Sequence, residues 1–531
     1  MFQTIADRLR GMNQGHLPFE GLIEPIREIL LNLFENKRMG ADLLFMYTYM
    51  AAITTASVTR PEIFSYTAER SEYVPARYIA KVQHFVKTWN YSYAGALRIV
   101  AERARNQTLQ SMLNRYGNSI DSGVPDDDFI ATELGTVRNI YRSTFEQGAE
   151  MLKKWGDAYI AMLLSGTLVA IIIMISVAIY APDGIEASLA TSYAIILSIS
   201  GFGLGIMYRV VPDDQKTHRL PACSKEQAII RRLERTILPL VAAVGLILII
   251  IGADAGIIFL LVGLLLMPLG IIGYIDDANV TNRDADFSVF IRSLGSVMGG
   301  KGITTGDALK EVDKRSLVHL EPLINSVYSK MNLGLDEASS WRRFIEDSGS
   351  NLIYKYMNIF RDAVALGGSP DRIGKIVGSS MLEQVLLRKK RDMLVKGFVV
   401  LLIPMHGAMV GIFVFLYEIL STMSRAVTEV MQEFDQASAA LSGDTTSISG
   451  TMMGSMNLFV DFPEEIMITY VVTVLVMLTI ANVLAGKIVA GGDRYMYYFL
   501  ASLLCAITGI VLIIAPILVG IFFSIPSFGA I

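Results

Sequence analysis

Seven apolar stretches divide an otherwise polar chain: Tyr159–Tyr180, Ala190–Met207, Ile237–Ile251, Gly256–Tyr274, Gly397–Leu420, Ile466–Ala485 and Tyr498–Phe523. Each is close to the ~20 residues that cross a bilayer core. The third and fourth, joined by Gly252-Ala253-Asp254-Ala255, read as a hairpin. In the polar regions the apolar positions recur at helical spacing: Leu43-Leu44, Met46-Tyr47 and Met50, then Val82 and Phe85-Val86, then Ile130, Leu134 and Val137. No alternating strand pattern competes. The pattern predicts an all-α integral membrane protein with two helical bundles between about seven transmembrane helices.

These boundaries give an amphipathic leader over 1–35, a helical module over 36–158, a transmembrane pair over 159–208 and a basic loop over 209–235. A transmembrane hairpin over 236–274, a second module over 275–396, a span over 397–420, an acidic loop over 421–465 and a transmembrane pair over 466–531 follow. In the leader, Pro25 suits a helix first turn, and Ile26, Ile29-Leu30 and Leu33-Phe34 form an apolar stripe. That stripe is expected to pack against the first module. Glu20, Glu24 and Glu28 beside Arg27 lack the basic bias of a lipid-surface helix.

The two modules share anchors. Ala41-Asp42-Leu43 matches Ala285-Asp286-Phe287, Ser57-Val58-Thr59 matches Gly302-Ile303-Thr304, and Gly123-Val124-Pro125-Asp126 matches Gly368-Ser369-Pro370-Asp371. The offset is 244 residues at the first anchor (Ala41 to Ala285) and 245 at the last (Gly123 to Gly368). Three anchors on nearly one offset indicate an internal duplication. The Gly-x-Pro-Asp composition predicts the same turn and helix start in both copies.

Charge sets the orientation. Lys and Arg gather in 209–235, in 486–497, and at Lys153-Lys154 and Arg388–Arg391. The links at 181–189, 252–255 and 421–465 are nearly free of them. Over seven spans this alternation places the N-terminus and both modules in the cytosol and the C-terminus outside. The first 15 residues lack a signal peptide, so the chain is expected to open with a cytosolic segment. Ser442–Gly454, rich in Ser, Thr and Gly, is expected to be mobile.

Composition excludes several classes. The chain has 18% charged and 52% hydrophobic residues, against about 25% charged in soluble domains. A net charge of −4 with no dominant basic stripe argues against nucleic acid. Cys223 and Cys505 lie in unlike contexts, which predicts no disulfide, and no Cys/His cluster suggests a metal or cofactor site.

Few motifs suggest chemistry. Gly295-Ser296-Val297-Met298-Gly299-Gly300-Lys301 satisfies GxxxxGK, but Gly302 stands where a phosphate-cradling loop needs Ser or Thr. The upstream spacing (Phe287, Phe290-Ile291, Leu294) is helical, which predicts a helix ended by glycine instead. His406 lies within a span and is a functional candidate by its depth. A relay would need a second buried acid or base, so a neutral histidine bonded to nearby backbone is the expectation. The basic runs Arg231, Arg232, Arg235 and Arg388, Lys389, Lys390, Arg391 suit lipid headgroups or an acidic partner. Nothing argues for catalysis.

Two helical modules, each leading into spans, with turns at Gly123, Pro125 and Asp126 and at Gly367, Gly368, Pro370 and Asp371, resemble a known layout. It is similar to the membrane platform proteins of type IV filament machines and type II secretion (the GspF/PilC/TadC superfamily). Seven spans with hairpin insertions look most like the archaeal FlaJ (ArlJ) branch. The resemblance implies a non-enzymatic platform whose modules, with the loop 209–235, engage a hexameric assembly ATPase and whose spans accept pilin- or archaellin-like subunits. It also implies a homodimer. The rival readings are a secondary transporter or channel built by duplication, and an enzyme using the GxxxxGK segment.

Overall fold

The computed structural model describes residues 20–180, 184–212, 214–440, 463–492 and 494–522. Residues 1–19 of the leader and the Ser442–Gly454 stretch fall outside them, as do the side chains of the leader's apolar stripe. The described residues form sixteen helices. They are α1 (Glu20–Ile53), α2 (Arg60–Glu69), α3 (Ala76–Trp89), α4 (Tyr93–Glu102), α5 (Gln107–Asp121), α6 (Asp126–Tyr180), α7 (Ile185–Val210) and α8 (Lys225–Ile251). The remainder are α9 (Ala255–Lys301), α10 (Thr305–Glu311), α11 (Glu321–Asn332), α12 (Glu337–Ser348), α13 (Asn351–Ala365), α14 (Pro370–Ala440), α15 (Glu464–Ala490) and α16 (Met496–Phe522). Among the described residues there is no strand, only an isolated bridge between Thr217 and Ser350.

Seven of these helices, α6 to α9 and α14 to α16, are long and apolar enough to cross a membrane. The protein is a multi-pass membrane protein. Pro239, Pro268, Pro404 and Pro516 lie inside their helices without ending them.

The chain forms two compact units. The first holds the described residues of Met1–Gln147, Pro212–Ser224 and Asn279–Lys389; the second holds those of Gly148–Val211, Lys225–Ala278 and Lys390–Ile531. Part of the basic loop therefore belongs with the modules, and α6, α9 and α14 each contribute to both units without a break.

Within the first unit the duplication is visible helix by helix. The helices α1 to α6 correspond in order to α9 to α14. Arg60 and Thr305 start their helices 245 residues apart, and Gln107 and Asn351 start theirs 244 apart. Caps repeat as well. Ser92 accepts from Gly95 N–H and Asn106 from Leu109 N–H in the first copy. Asp336 accepts from Ser339 N–H and Ser350 from Ile353 N–H in the second. Such caps satisfy amides that a helix start would otherwise leave open. Both sets of apolar faces merge into one continuous core, so the copies fold as a pair. Phe287, Phe290, Trp341 and Phe344 pack as one aromatic group in the second copy, and Phe64, Tyr116 and Phe129 in the first.

In the second unit, Gly256, Gly263 and Gly270 recur every seventh residue on α9 and press against α16. A Cβ at Gly263 would stand 2.7 Å from Ala506 N. Without water to drive association, such backbone proximity is what holds membrane helices together.

Candidate functional site

The turn motifs close both modules in the same way. Gly123 N–H donates to Ile120 O and Val124 N–H to Ser119 O; Gly367 N–H donates to Val364 O and Gly368 N–H to Ala363 O. This is the glycine cap in which the residue after the helix turns left-handed, with φ of +73° at Gly123 and +85° at Gly367. The bonding pattern therefore pairs Gly123 with Gly367, not with Gly368 as the sequence anchors suggest, and the offset there is 244. Gly368 answers a different need: a Cβ on it would meet Thr55 Oγ1 of the first module and the Ala363 carbonyl. The next helices start from the Pro125 and Ser369 carbonyls, which accept the first helical bonds from Phe129 and Ile373. Asp126, at the start of α6, accepts from Arg60 Nε at 2.9 Å, whereas Asp371 pairs with Lys375 at 2.7 Å.

The GxxxxGK segment lies within α9, and Gly302 ends that helix at φ +64°, its N–H donating to Met298 O. Gly295 and Gly299 face the start of α14, where a Cβ at Gly295 would collide with Pro370 O. Gly295 and Gly299 thus serve helix packing, whereas a Cβ at Gly300 would meet nothing within 4 Å.

Polar groups stitch the two modules together. Asp42, the repeated acidic anchor, accepts Val74 N–H at 3.2 Å; its counterpart Asp286 accepts His319 N–H at 2.9 Å. Asp42 also receives Lys355 Nζ of the second module at 3.1 Å, and that ammonium lies 4.0 Å from the centre of the Phe45 ring. Nearby, Ser380 accepts from Thr48 at 2.9 Å and from Arg138 at 2.7 Å, and Arg142 pairs with Glu383.

The second basic run does not present one face. Arg388 is 5% exposed and inserted between Asp284, at 2.6 Å, and Asp214, while its guanidinium also donates to Gln215 O at 3.0 Å. Asp284 further accepts from Ser350. Burial pushes the Asp284 carboxyl up to about 6, against the opposing pull of Arg388. A cavity of about 30 Å³, room for one water, lies among Asp42, Lys355, Asp214, Gln384 and Arg388. Lys389 is exposed. Arg391 is buried and donates to the Val489 carbonyl at 3.3 Å, at the C-terminal end of α15 where cations are favoured. In the first run Arg232 and Arg235 are exposed and Arg231 is half-buried.

In the second unit, His406 joins a chain of polar side chains across α6, α14, α15 and α16. Asn482 Nδ2 donates to His406 Nδ1 at 2.9 Å, and His406 Nε2 lies 3.0 Å from Thr508 Oγ1. Tyr159 O–H donates to Asn482 Oδ1 at 3.4 Å. A ring nitrogen that accepts leaves the other to carry the proton, so this is a neutral histidine donating to threonine. Its partners are side chains of neighbouring spans as well as the backbone expected from sequence. Among the described residues no group of three metal-ligating side chains occurs.

The chain is similar to archaeal flagella accessory proteins J. It is 24% identical to that of Methanococcus voltae over 349 residues, which cover 62% of this chain and 61% of the relative. It is 21% identical to that of Methanocaldococcus jannaschii over 510 residues, 91% of this chain and 86% of the relative. These are the FlaJ-type proteins whose layout the sequence resembles. No protein-family model and no solved structure matches.

The turn glycines are found from sequence because their type is dictated by backbone conformation. The Asp42–Lys355 and Arg388–Asp284 pairs are not. A signal existed for Asp42, since an aspartate recurs at Asp286; Lys355 carries no such mark.

Proposed function

We propose that this chain is the membrane platform of an archaellum-type filament machine. The observation that carries the reading is the likeness to a flagella accessory protein J along 91% of the chain, joined to a duplicated helical unit and seven apolar helices. In this reading the modules face the cytosol and engage a hexameric assembly ATPase, assisted by the exposed cations Arg232, Arg235 and Lys389. The spans accept archaellin-like subunits, the platform works as a homodimer, and no chemistry occurs in the chain itself. The unbroken course of α6, α9 and α14 from modules into apolar stretches supports it, because a continuous helix transmits displacement better than a loop. The transporter alternative expects broken helices around a midplane site, and the described spans are single helices.

Electron microscopy and swimming assays on cells lacking the gene test the proposal. Loss of rotating filaments and motility is the expected result. Loss of thin adhesive filaments with motility intact would move the assignment to a pilus, and survival of every surface filament would overturn the platform reading.

A further inference from the structure

The first unit carries the same apolar projection twice. At the end of α3 Trp89 is 62% exposed, with Tyr91 exposed beside it in the link to α4; in the link between α11 and α12, Leu333 is 80% exposed and Leu335 is exposed beside it. Trp89 and Leu333 are 244 residues apart, as are Tyr91 and Leu335. The residue between them is left-handed in both copies, Asn90 at φ +55° and Gly334 at +77°. Asn90 stands out among the described residues as a non-glycine held there. Each projection is fixed by its own backbone: Tyr91 N–H donates to Phe85 O, and Leu335 N–H to Lys330 O. The Trp89 and Tyr91 rings also rest edge-on against Phe85, both at 6.0 Å. Large apolar side chains on a stiff turn lose little freedom on docking, which is how interface anchors are built.

The two projections share one end of the unit. Short links between packed neighbouring helices make each pair antiparallel, so the α1–α2, α3–α4 and α5–α6 links lie together, as do those of the second copy. The same end holds an open groove of about 330 Å³ lined by Thr54, Thr55, Asp127, Asp128, Arg372 and Lys375, drawn from both copies. One apolar tip thus belongs to each copy, and a charged groove is built from both.

We propose that the Trp89/Tyr91 and Leu333/Leu335 tips are twin anchors for one soluble oligomeric protein that offers two copies of the same apolar pocket. Duplication is the argument. A single pocket needs one tip, and keeping large exposed apolar side chains at both equivalent positions fits a partner that repeats its own surface. Asp336 and Glu337 directly follow Leu335, and Lys87 and Lys330 stand singly before the tips, so neither tip carries the cluster of Lys and Arg that anionic lipid prefers. In addition, 27 residues of α14 precede its apolar run at Gly397, roughly 40 Å along the helix axis at ~1.5 Å per residue. Identifying the partner as the assembly ATPase rests on the function proposed above; the twin-anchor geometry does not.

The test places a photo-crosslinking amino acid at position 89 or at position 333 of the full chain in its native membrane and identifies the products by mass spectrometry. The same soluble protein captured from both positions is the expected result. Trp89→Glu or Leu333→Glu should each weaken its binding at least tenfold, because losing one of two linked contacts removes the effective-concentration gain. Different proteins at the two sites, lipid, a second copy of this chain, or no product at either site would overturn the proposal. If the shared protein is not the ATPase, the anchors stand and the ATPase assignment falls. If the ATPase binds the protein while neither tip crosslinks to it, the reverse holds.

Discussion

Lys355 of the second module reaches Asp42 of the first, Nζ to Oδ1 at 3.1 Å, with both side chains buried in the core that the two copies share. A buried pair of this kind contributes little beyond what an apolar replacement would, yet removing one partner strands the other charge. Lys355→Ala should destabilise the modules by less than the roughly 3–5 kcal/mol of a fully stranded charge, because Asp42 keeps Arg38 at 3.6 Å and the Val74 N–H at 3.2 Å. The double variant Asp42→Asn with Lys355→Met removes both charges, keeps a side-chain acceptor for the Val74 N–H, and should recover most of that. Thermal unfolding of the detergent-purified protein measures both. Additive losses in the double variant would mean that the two charges do not depend on each other.

The Asp284 carboxyl gives the modules a pH dependence of definite sign. Its value in the fold, about 6, lies above its ordinary 3.8. The folded chain therefore binds this proton more tightly than the unfolded chain. The stabilisation from this group is complete below about pH 4 and is lost as pH rises through about 6. Asp284→Asn keeps the site neutral throughout and should flatten this part of the profile. Unfolding midpoints at pH 4.5 and pH 7 for both proteins decide the matter, and an unchanged slope in the variant would assign the dependence elsewhere.

The two adjacent glycines of the second turn should respond differently to substitution. Gly367 needs its left-handed backbone, which an L-residue adopts at a cost of about 1–2 kcal/mol and asparagine at less. Gly367→Asn should therefore be mild and Gly367→Val worse. Gly368 has φ outside that region but no room, with Thr55 Oγ1 at 2.5 Å and Ala363 O at 2.9 Å from a Cβ. Gly368→Asn should thus be no better than Gly368→Ala, and Thr55→Ala should relieve part of the Gly368→Ala defect. If asparagine rescued position 368 as well as 367, the proposed division between backbone conformation and packing would be incorrect.

The contrast between these sites explains what was legible in the sequence. Periodicity and apolar run length report on local structure, so the seven spans and the all-α class follow from composition along the chain. The turn at Gly123 is equally local. The one-residue shift that pairs Gly123 with Gly367 is not, because two glycines stand side by side and only hydrogen bonding separates their roles. Arg388 shows the larger gap. In sequence it begins a basic run beside a span, the pattern of a headgroup contact. Its partners Asp284 and Asp214 are 104 and 174 residues away, and no local pattern announces a pairing of that range. Asp42 with Lys355, 313 residues apart, is the same case.

His406 allows a membrane-embedded polar group to be tested for chemistry. Its ring is flanked by Asn482 and Thr508, with Tyr159 beyond Asn482; none of these is a carboxylate or an amine, so protons have no obvious next carrier. The arrangement serves to hold four helices in register. His406→Leu should leave Asn482 and Thr508 short of a partner and lower stability by roughly 0.5–2 kcal/mol, the span found for such bonds between membrane helices. Adding Asn482→Leu should restore part of the loss, since two apolar groups then face each other. Under the platform function proposed above, filament formation in the double variant, followed by electron microscopy across external pH, should match the parent at every pH. A double variant that is stable and inserted but builds no filaments would instead give His406 a direct part in the proposed function, and the structural account of the histidine would have to be abandoned.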